Sequence, residues 1–386
     1  TTDQKRPRSL HVLYGGAHLF KSDARAKLTG IVRRTWDELV PDHTALARVF
    51  DVDRALLARV HEAVSTSLDA AVHDMRIDFE DGFGPRPDDE EDACAAAVAR
   101  ALVEGARAGT LPARVGVRPK ALAGATEARA RRTLERFFAA LVDVKGELPA
   151  SLVVTLPKVE RPSEVRALVA LLDDAARALG VPRTSFEIEL MIETPRALFD
   201  DEGRVAARAL VEAGDGLVES VHLGAYDLLA SLDVPARTSS LLHPTLDVAR
   251  GLLQFALAGT GVAVVDGATT TLPVGPHKIA KDTPSSTREA SENRQAIVHA
   301  LRLHASHVAR ALDHGISRGW DLHPAQTLAR QVALVVHAVR EIDGALARLT
   351  AFLDAQARAM RTGSVFDDAA SARGLVNTVL FAVVWA

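Results

Sequence analysis

Apolar and polar positions along the chain alternate between two kinds of segment. Short apolar runs bounded by turn residues read as buried strands, and longer stretches with a 3.6-residue stripe read as helices. The dominant run is residues 186–195, FEIELMIETP, with Phe186, Ile188, Leu190, Met191 and Ile192 ahead of Glu193, Thr194 and Pro195. A run of this length ending in a proline suits a strand buried on both faces. Its terminal carboxylate, Glu193, is costly to bury without a positive partner, either a metal ion or a nearby Arg or Lys.

Taken in order, the same pattern predicts strands at 10–14, 75–79, 115–118, 151–156, the central run, 218–223, 261–265 and 319–322. Residues 22–68 read as helical, with breaks at Gly30 and Pro41. Further helices fall at 88–106, 127–143, 163–179, 202–213 and 245–258, and a long one runs to about 314. The run DDEED at 88–92 puts acidic charge where a helix start favours it. Residues 268–290 form a polar, Pro- and Thr-rich insertion. Beyond it, 325–361 carry an apolar i, i+4, i+7 stripe that reads as one long helix or two.

Eight strands separated by helices point to parallel βαβ units, and eight is the number that closes a barrel. The prediction is an α/β fold, a (β/α)8 TIM barrel over residues 1–330 with a C-terminal helical extension over 331–386. A doubly wound sheet is disfavoured, because no glycine-rich fingerprint follows the first strand. The apolar last segment, GLVNTVLFAVVWA, either packs on its own barrel or covers a neighbouring subunit, and a homo-oligomer is expected.

Composition narrows the function. Hydrophobic residues make up 48% of 386, enough for a sizeable core, and the formal net charge of -4 gives no basic field for nucleic acid. The single Cys94 excludes an internal disulfide and a cysteine-based metal cluster. The N-terminus is polar and basic with no apolar signal region behind it, and no apolar run is long enough to span a membrane. A cytoplasmic protein is expected, without nucleic-acid or membrane partners.

In a barrel of this kind the reacting groups lie at the C-terminal ends of the strands. Those ends carry Asp78, Glu80, Asp81, Arg118, Lys158, Glu160, Glu193, Asp227, Asp266 and His323. The set is rich in carboxylates, holds two cations and offers no obvious nucleophile. Hard oxygen donors select Mg²⁺ or Mn²⁺ over zinc. An arginine fork beside such a metal suits a substrate carboxylate or an enolate oxygen. The combination serves aldol cleavage or Claisen-type condensation through a metal-bound enolate. Lys158 reads as an electrostatic partner in that site; a Schiff-base role would instead imply a metal-independent aldolase. Gly15 and Gly16, at the first strand's end, offer backbone N–H groups to a substrate anion, with His18 and Lys21 following. His323 joins Arg118 as a candidate substrate contact. PVGPHK (273–278) is either a further anion contact or an insertion loop without that role. His299, His304 and His307 lack a clean i, i+4 metal spacing and read as a solvated helix face.

The motifs IDFEDG (77–82), VRPK (117–120), LPKVE (156–160), MIET (191–194), LGAYDL (223–228) and GWDLHPAQ (319–326) occur in order. Together the chain resembles, over roughly residues 10–330, the HpcH/HpaI aldolase and citrate lyase β-subunit family of the pyruvate/phosphoenolpyruvate barrel superfamily. The resemblance implies a Mg²⁺-dependent carbon–carbon lyase or aldolase acting on a 2-oxo acid or an acyl-CoA thioester. It implies Glu193 and Asp227 as metal ligands, Arg118 on the substrate's carboxylate or carbonyl oxygen, and Glu80 and Asp81 around the metal's water shell. Asp81 stands where the aldolase branch usually has His, which favours the citrate-lyase-like branch. Lys120 stands where that branch usually has Asn, and the insertion and the tail are additions. The alternative to an enzyme is a catalytically silent barrel that binds a small acid as a regulatory or assembly subunit.

Overall fold

The computed structural model describes residues 11–144, 148–149, 151–278, 286–355, 360–362 and 365–385. Eight parallel strands close into a barrel in sequence order: β1 (His11–Gly16), β2 (Asp74–Asp78), β3 (Arg114–Arg118), β4 (Leu152–Leu156), β5 (Phe186–Ile192), β6 (Val218–Leu223), β7 (Ala263–Asp266) and β8 (Arg318–Asp321). The expected TIM barrel is therefore present, and β8 pairs back onto β1 through His11 beside Gly319. Leu10 of the expected first strand lies outside the described residues, as do residues 279–285 of the expected insertion.

The chain divides into two compact units. One comprises residues 1–31, 72–272 and 313–327 and contains the whole barrel; the other comprises 32–71, 273–312 and 328–386. In the first unit, outward-facing strand residues such as Val115, Val117, Val154, Ile188 and Leu190 share one core with Leu102, Leu134, Phe137, Leu168 and Leu253 from the surrounding helices. The helix Asp88–Ala108 opens on four acidic residues and ends on Gly109 in the left-handed region (φ 66°), where glycine carries no Cβ penalty.

The second unit is mainly helical, and in it Arg59 meets Asp343 at 2.9 Å and Arg302 donates to the Val49 carbonyl at 3.0 Å. The stripe expected over 325–361 forms one helix, Pro324–Asp354; residues 356–359 lie outside the described residues, and Met360 and Arg361 belong to a strand. A short antiparallel ribbon, Met360–Thr362 with Val365–Asp367, and a final helix, Ala369–Trp385, follow it.

Several expectations need correction. The helix Ala24–Leu39 runs through Gly30 without a break, since one glycine costs only about 1 kcal/mol in a helix. Residues 202–213 are helical only over Ala207–Glu212, with a separate turn at Pro195–Leu198. Of the three histidines, His299 is exposed but His304 and His307 are buried. They share the helix face of Ala300, Val308 and Ala311, so they do not belong to a solvated face. Finally, β5 is buried on both faces, as expected, but its inward face carries a charge. Glu189 is fully buried inside the barrel, where Arg76 donates to it at 2.8 and 2.5 Å and Thr155 at 2.7 Å. Arg76 also binds Asp74. Nearby, Arg114 meets Glu187 at 2.8 Å, and Arg318 meets Glu219 at 2.9 Å. The barrel interior thus holds a network of paired charges beside a small apolar cluster of Val12, Tyr14 and Met191, while the large apolar core lies on the helix-facing side. Such pairing is what makes burial of these charges tolerable.

Candidate functional site

β2 and β3 run in register so that Asp78 sits beside Arg118. Arg118 Nε donates to Asp78 Oδ1 at 2.7 Å, and Nη2 donates to Oδ2 at 2.6 Å. Asp78 also accepts the backbone N–H groups of Glu80 (2.9 Å) and Gly82 (2.7 Å), which shapes the turn after β2. The arginine fork is therefore engaged by its own protein. Its remaining nitrogen, Nη1, lies 3.3 Å from Met191 S and 3.4 Å from Glu80 Oε2. The Tyr14 ring stands 4.9 Å from the guanidinium. The signal for Asp78's role was present in the sequence, since it ends β2 as Arg118 ends β3.

Lys158 follows β4 in the left-handed region, with φ 50°. Its backbone N–H donates to Glu193 Oε1 at 2.6 Å, and its ammonium donates to Glu80 Oε1 at 2.6 Å. The same ammonium lies 3.8 Å from Asp227 Oδ2 and 4.0 Å from Asp81 Oδ1. These contacts hold its charge strongly and push its pKa up against the cost of burial. Six of the sequence-derived site residues, Glu80, Asp81, Arg118, Lys158, Glu193 and Asp227, thus share one cluster at the barrel mouth.

Glu193 is buried and comes just after β5; Asp227 is in the first turn of the helix Ala225–Ser231, after β6. Burial, with Glu80 and Asp227 close by, pushes the Glu193 carboxyl up to about 8, despite Lys158 and Arg118. Glu80 is likewise raised, by burial above all. A Cβ on Gly224 would meet Glu193 Cβ at 2.2 Å and Oε2 at 2.4 Å, so only glycine leaves room for this carboxylate. Among the described residues, no three of His, Cys, Asp and Glu form a ready-made metal cage. The pair Glu193 and Asp227 fits Mg²⁺ nonetheless, because that ion takes one or two carboxylates and keeps several waters. A carboxyl whose pKa is raised by burial and by acidic neighbours is one whose ionised form a cation would favour.

Other strand-end residues have structural partners. Fully buried Arg250 binds both oxygens of Asp266, at 2.9 and 3.0 Å, which removes Asp266 from the mouth chemistry. Lys120 donates to the Phe79 carbonyl at 3.0 Å and pairs with Glu91, so it braces the loop after β2. The Glu160 N–H donates to Glu164 at the start of the helix Pro162–Leu179. Gly16 abuts the Gly82 carbonyl, 2.2 Å from where its Cβ would lie, and Gly15 faces Met75 at 3.0 Å; close packing accounts for both glycines. His323 Nδ1 accepts the Ala325 N–H at 3.2 Å, which places the proton of the neutral ring on Nε2, and burial lowers its pKa. In PVGPHK, the His277 N–H donates to Asn293 at 2.9 Å and Asn293 returns a bond to the His277 carbonyl at 3.0 Å.

Solved structures share this architecture, among them two that superpose over most of the chain. A citrate lyase from Burkholderia xenovorans LB400 superposes with a TM-score of 0.60 at 23% identity, covering 86% of this chain and 89% of its own. CitE from Mycobacterium tuberculosis, in complex with magnesium, acetoacetate and coenzyme A, superposes with a TM-score of 0.56 at 17% identity, covering 98% of this chain and all of its own. At these identities the likeness is one of fold, and it agrees with the fold expected from the motifs. No curated protein matches the sequence. The profile of DUF6986, described as a domain of unknown function, matches residues 2–384, and the chain belongs to that family.

Proposed function

We propose that this protein is a Mg²⁺-dependent carbon–carbon lyase or aldolase acting through an enolate on a 2-oxo acid or an acyl-CoA thioester. One observation carries the reading. Glu193 is buried, pushed up to about 8 by that burial and by Glu80 and Asp227 close by, and stands with Asp227 at the mouth of a closed barrel. The magnesium, acetoacetate and coenzyme A held by the M. tuberculosis relative support the choice of cofactor and substrate class.

Glu193 and Asp227 would hold the ion. Bound there, Mg²⁺ would supply Lewis-acid polarisation of the substrate carbonyl. The chain's own residues do the rest. Asp78 fixes the Arg118 guanidinium, and Nη1, which meets only the Met191 sulfur and, at 3.4 Å, Glu80, is the donor least committed and would turn to negative charge developing on a substrate oxygen. Glu80, raised by burial and bonded to the Lys158 ammonium, is placed to take up or return a proton during bond cleavage or formation. Asp81, two-thirds exposed beside them, would order water around the ion. Gly15, Gly16 and His323, at the ends of β1 and β8, would border the substrate. A silent binding subunit has no use for the full set of Glu193, Asp227 and Arg118, which favours catalysis.

A panel of 2-oxo acids, hydroxy acids and acyl-CoA thioesters, assayed with Mg²⁺ and with chelator, tests the reading. Turnover that requires Mg²⁺ and disappears in Glu193→Gln is expected. Turnover that persists in chelator would reject the metal.

A further inference from the structure

We propose that Lys158 competes with the divalent cation for the carboxylates of the barrel mouth, and so sets how tightly the site holds metal. The inference rests on the metal reading above and deepens it. Lys158 touches the cluster twice: its backbone N–H binds Glu193, while its ammonium stands 2.6 Å from Glu80, 3.8 Å from Asp227 and 4.0 Å from Asp81. Asp227 lies near this ammonium, and Glu193, bound through the backbone N–H, also feels its charge. An ammonium and a divalent ion are drawn to the same negative region and repel each other within it.

The backbone conformation points the same way. A non-glycine residue at φ 50° is uncommon and persists only where its surroundings hold it. Here it lets one residue place its N–H on Glu193 and its ammonium on Glu80. A lysine that served only to neutralise charge could do so from the end of an ordinary strand. The Lys158 side chain is about one-third exposed, so it has a path to swing toward solvent as the ion enters. The backbone bond to Glu193 does not depend on the side chain and would hold that carboxylate in place throughout.

Lys158→Met separates these roles. It keeps the stem, the backbone N–H and the same backbone preference, and removes only the charge. Mn²⁺ binding, measured by calorimetry and water-proton relaxation at fixed pH and ionic strength, is expected to be about tenfold or more tighter in Lys158→Met than in the parent protein. Lys158→Arg, which retains the charge, should stay close to the parent. Equal or weaker binding by Lys158→Met would overturn the competition, whereas loss of Mn²⁺ binding in Glu193→Gln would still uphold the metal site. Absence of Mn²⁺ binding in both the parent and Lys158→Met would overturn the metal reading and this inference with it. Should Lys158→Met fail to fold, Lys158→Gln serves the same comparison.

Discussion

Arg118 is anchored by two short bonds to Asp78, and that changes what a conservative substitution at this position does. Lysine keeps the charge but can make only one of the two bonds, and its point charge cannot also reach where Nη1 lies. Arg118→Lys should therefore lose both stability and turnover. We expect about 1–3 kcal/mol of destabilisation from the broken buried bond. Turnover should fall about 10²-fold, with kcat falling as well as kcat/KM, from the misplaced donor. Melting temperature and steady-state kinetics on one preparation check this. A stability loss with unchanged kcat would confine Arg118 to structure. The identity of both partners was legible in IDFEDG and VRPK. Which face of the guanidinium was left for substrate was not, because that depends on the register between β2 and β3 and on how the two side chains turn toward each other.

Inside the barrel, β2 and β5 face each other through Arg76, Asp74 and Glu189, all fully buried. Arg76 holds the Glu189 carboxyl well below the usual carboxylate range, against the opposing effect of burial. A depressed carboxylate contributes stability above its unfolded pKa, and that contribution is lost as pH falls through the folded value. Arg76→Met leaves Glu189 buried without its cation, which at neutral pH should cost about 3–5 kcal/mol. The deficit should shrink between pH 7 and pH 5, because the uncompensated Glu189 of the variant can be protonated there, whereas the parent's Glu189, held well below that range, keeps its contribution. Urea unfolding at pH 7 and at pH 5 measures both. Adding Glu189→Leu to Arg76→Met should recover part of the loss; no recovery would mean that the pair is not the source of the stability. The strands themselves were readable to within one or two residues, because apolar runs and turn residues are local signals. The charged interior was harder to see. Glu189 alternates with apolar neighbours that face the helices, and a count of hydrophobic residues hides an inward-pointing charge whose partner is 113 positions away. The histidine-bearing helix shows the reverse: the spacing 300, 304, 307, 308 and 311 already marked one buried face, and polarity alone concealed it. The ribbon after residue 354 left no comparable mark, since three-residue strands are too short to set up an alternation.

The second compact unit ends in a helix whose apolar residues do not all find cover within it. Leu375 and Ala382 are buried, but Val376, Leu380, Val383 and Val384 are 39, 61, 78 and 66% exposed. Their spacing puts them on one face of Ala369–Trp385, a stripe that a monomer in water would not favour. Leu346 and Leu353 repeat the pattern on the helix Pro324–Asp354, seven residues apart and both exposed. We expect a second copy of the chain to cover the C-terminal stripe, since most assemblies of soluble chains are symmetric and bury the same patch on each protomer. Light scattering at micromolar concentration should then show a homo-oligomer. The double variant Leu380→Glu/Val383→Glu should shift it toward monomer, because two charges on each protomer would have to be desolvated at the contact. The barrel's own core draws on none of these residues, so the far-ultraviolet circular dichroism of the variant should stay close to that of the parent. A parent protein that is monomeric at that concentration would leave the stripe unexplained by self-association. A variant that stays oligomeric while folded would place the contact elsewhere on the chain.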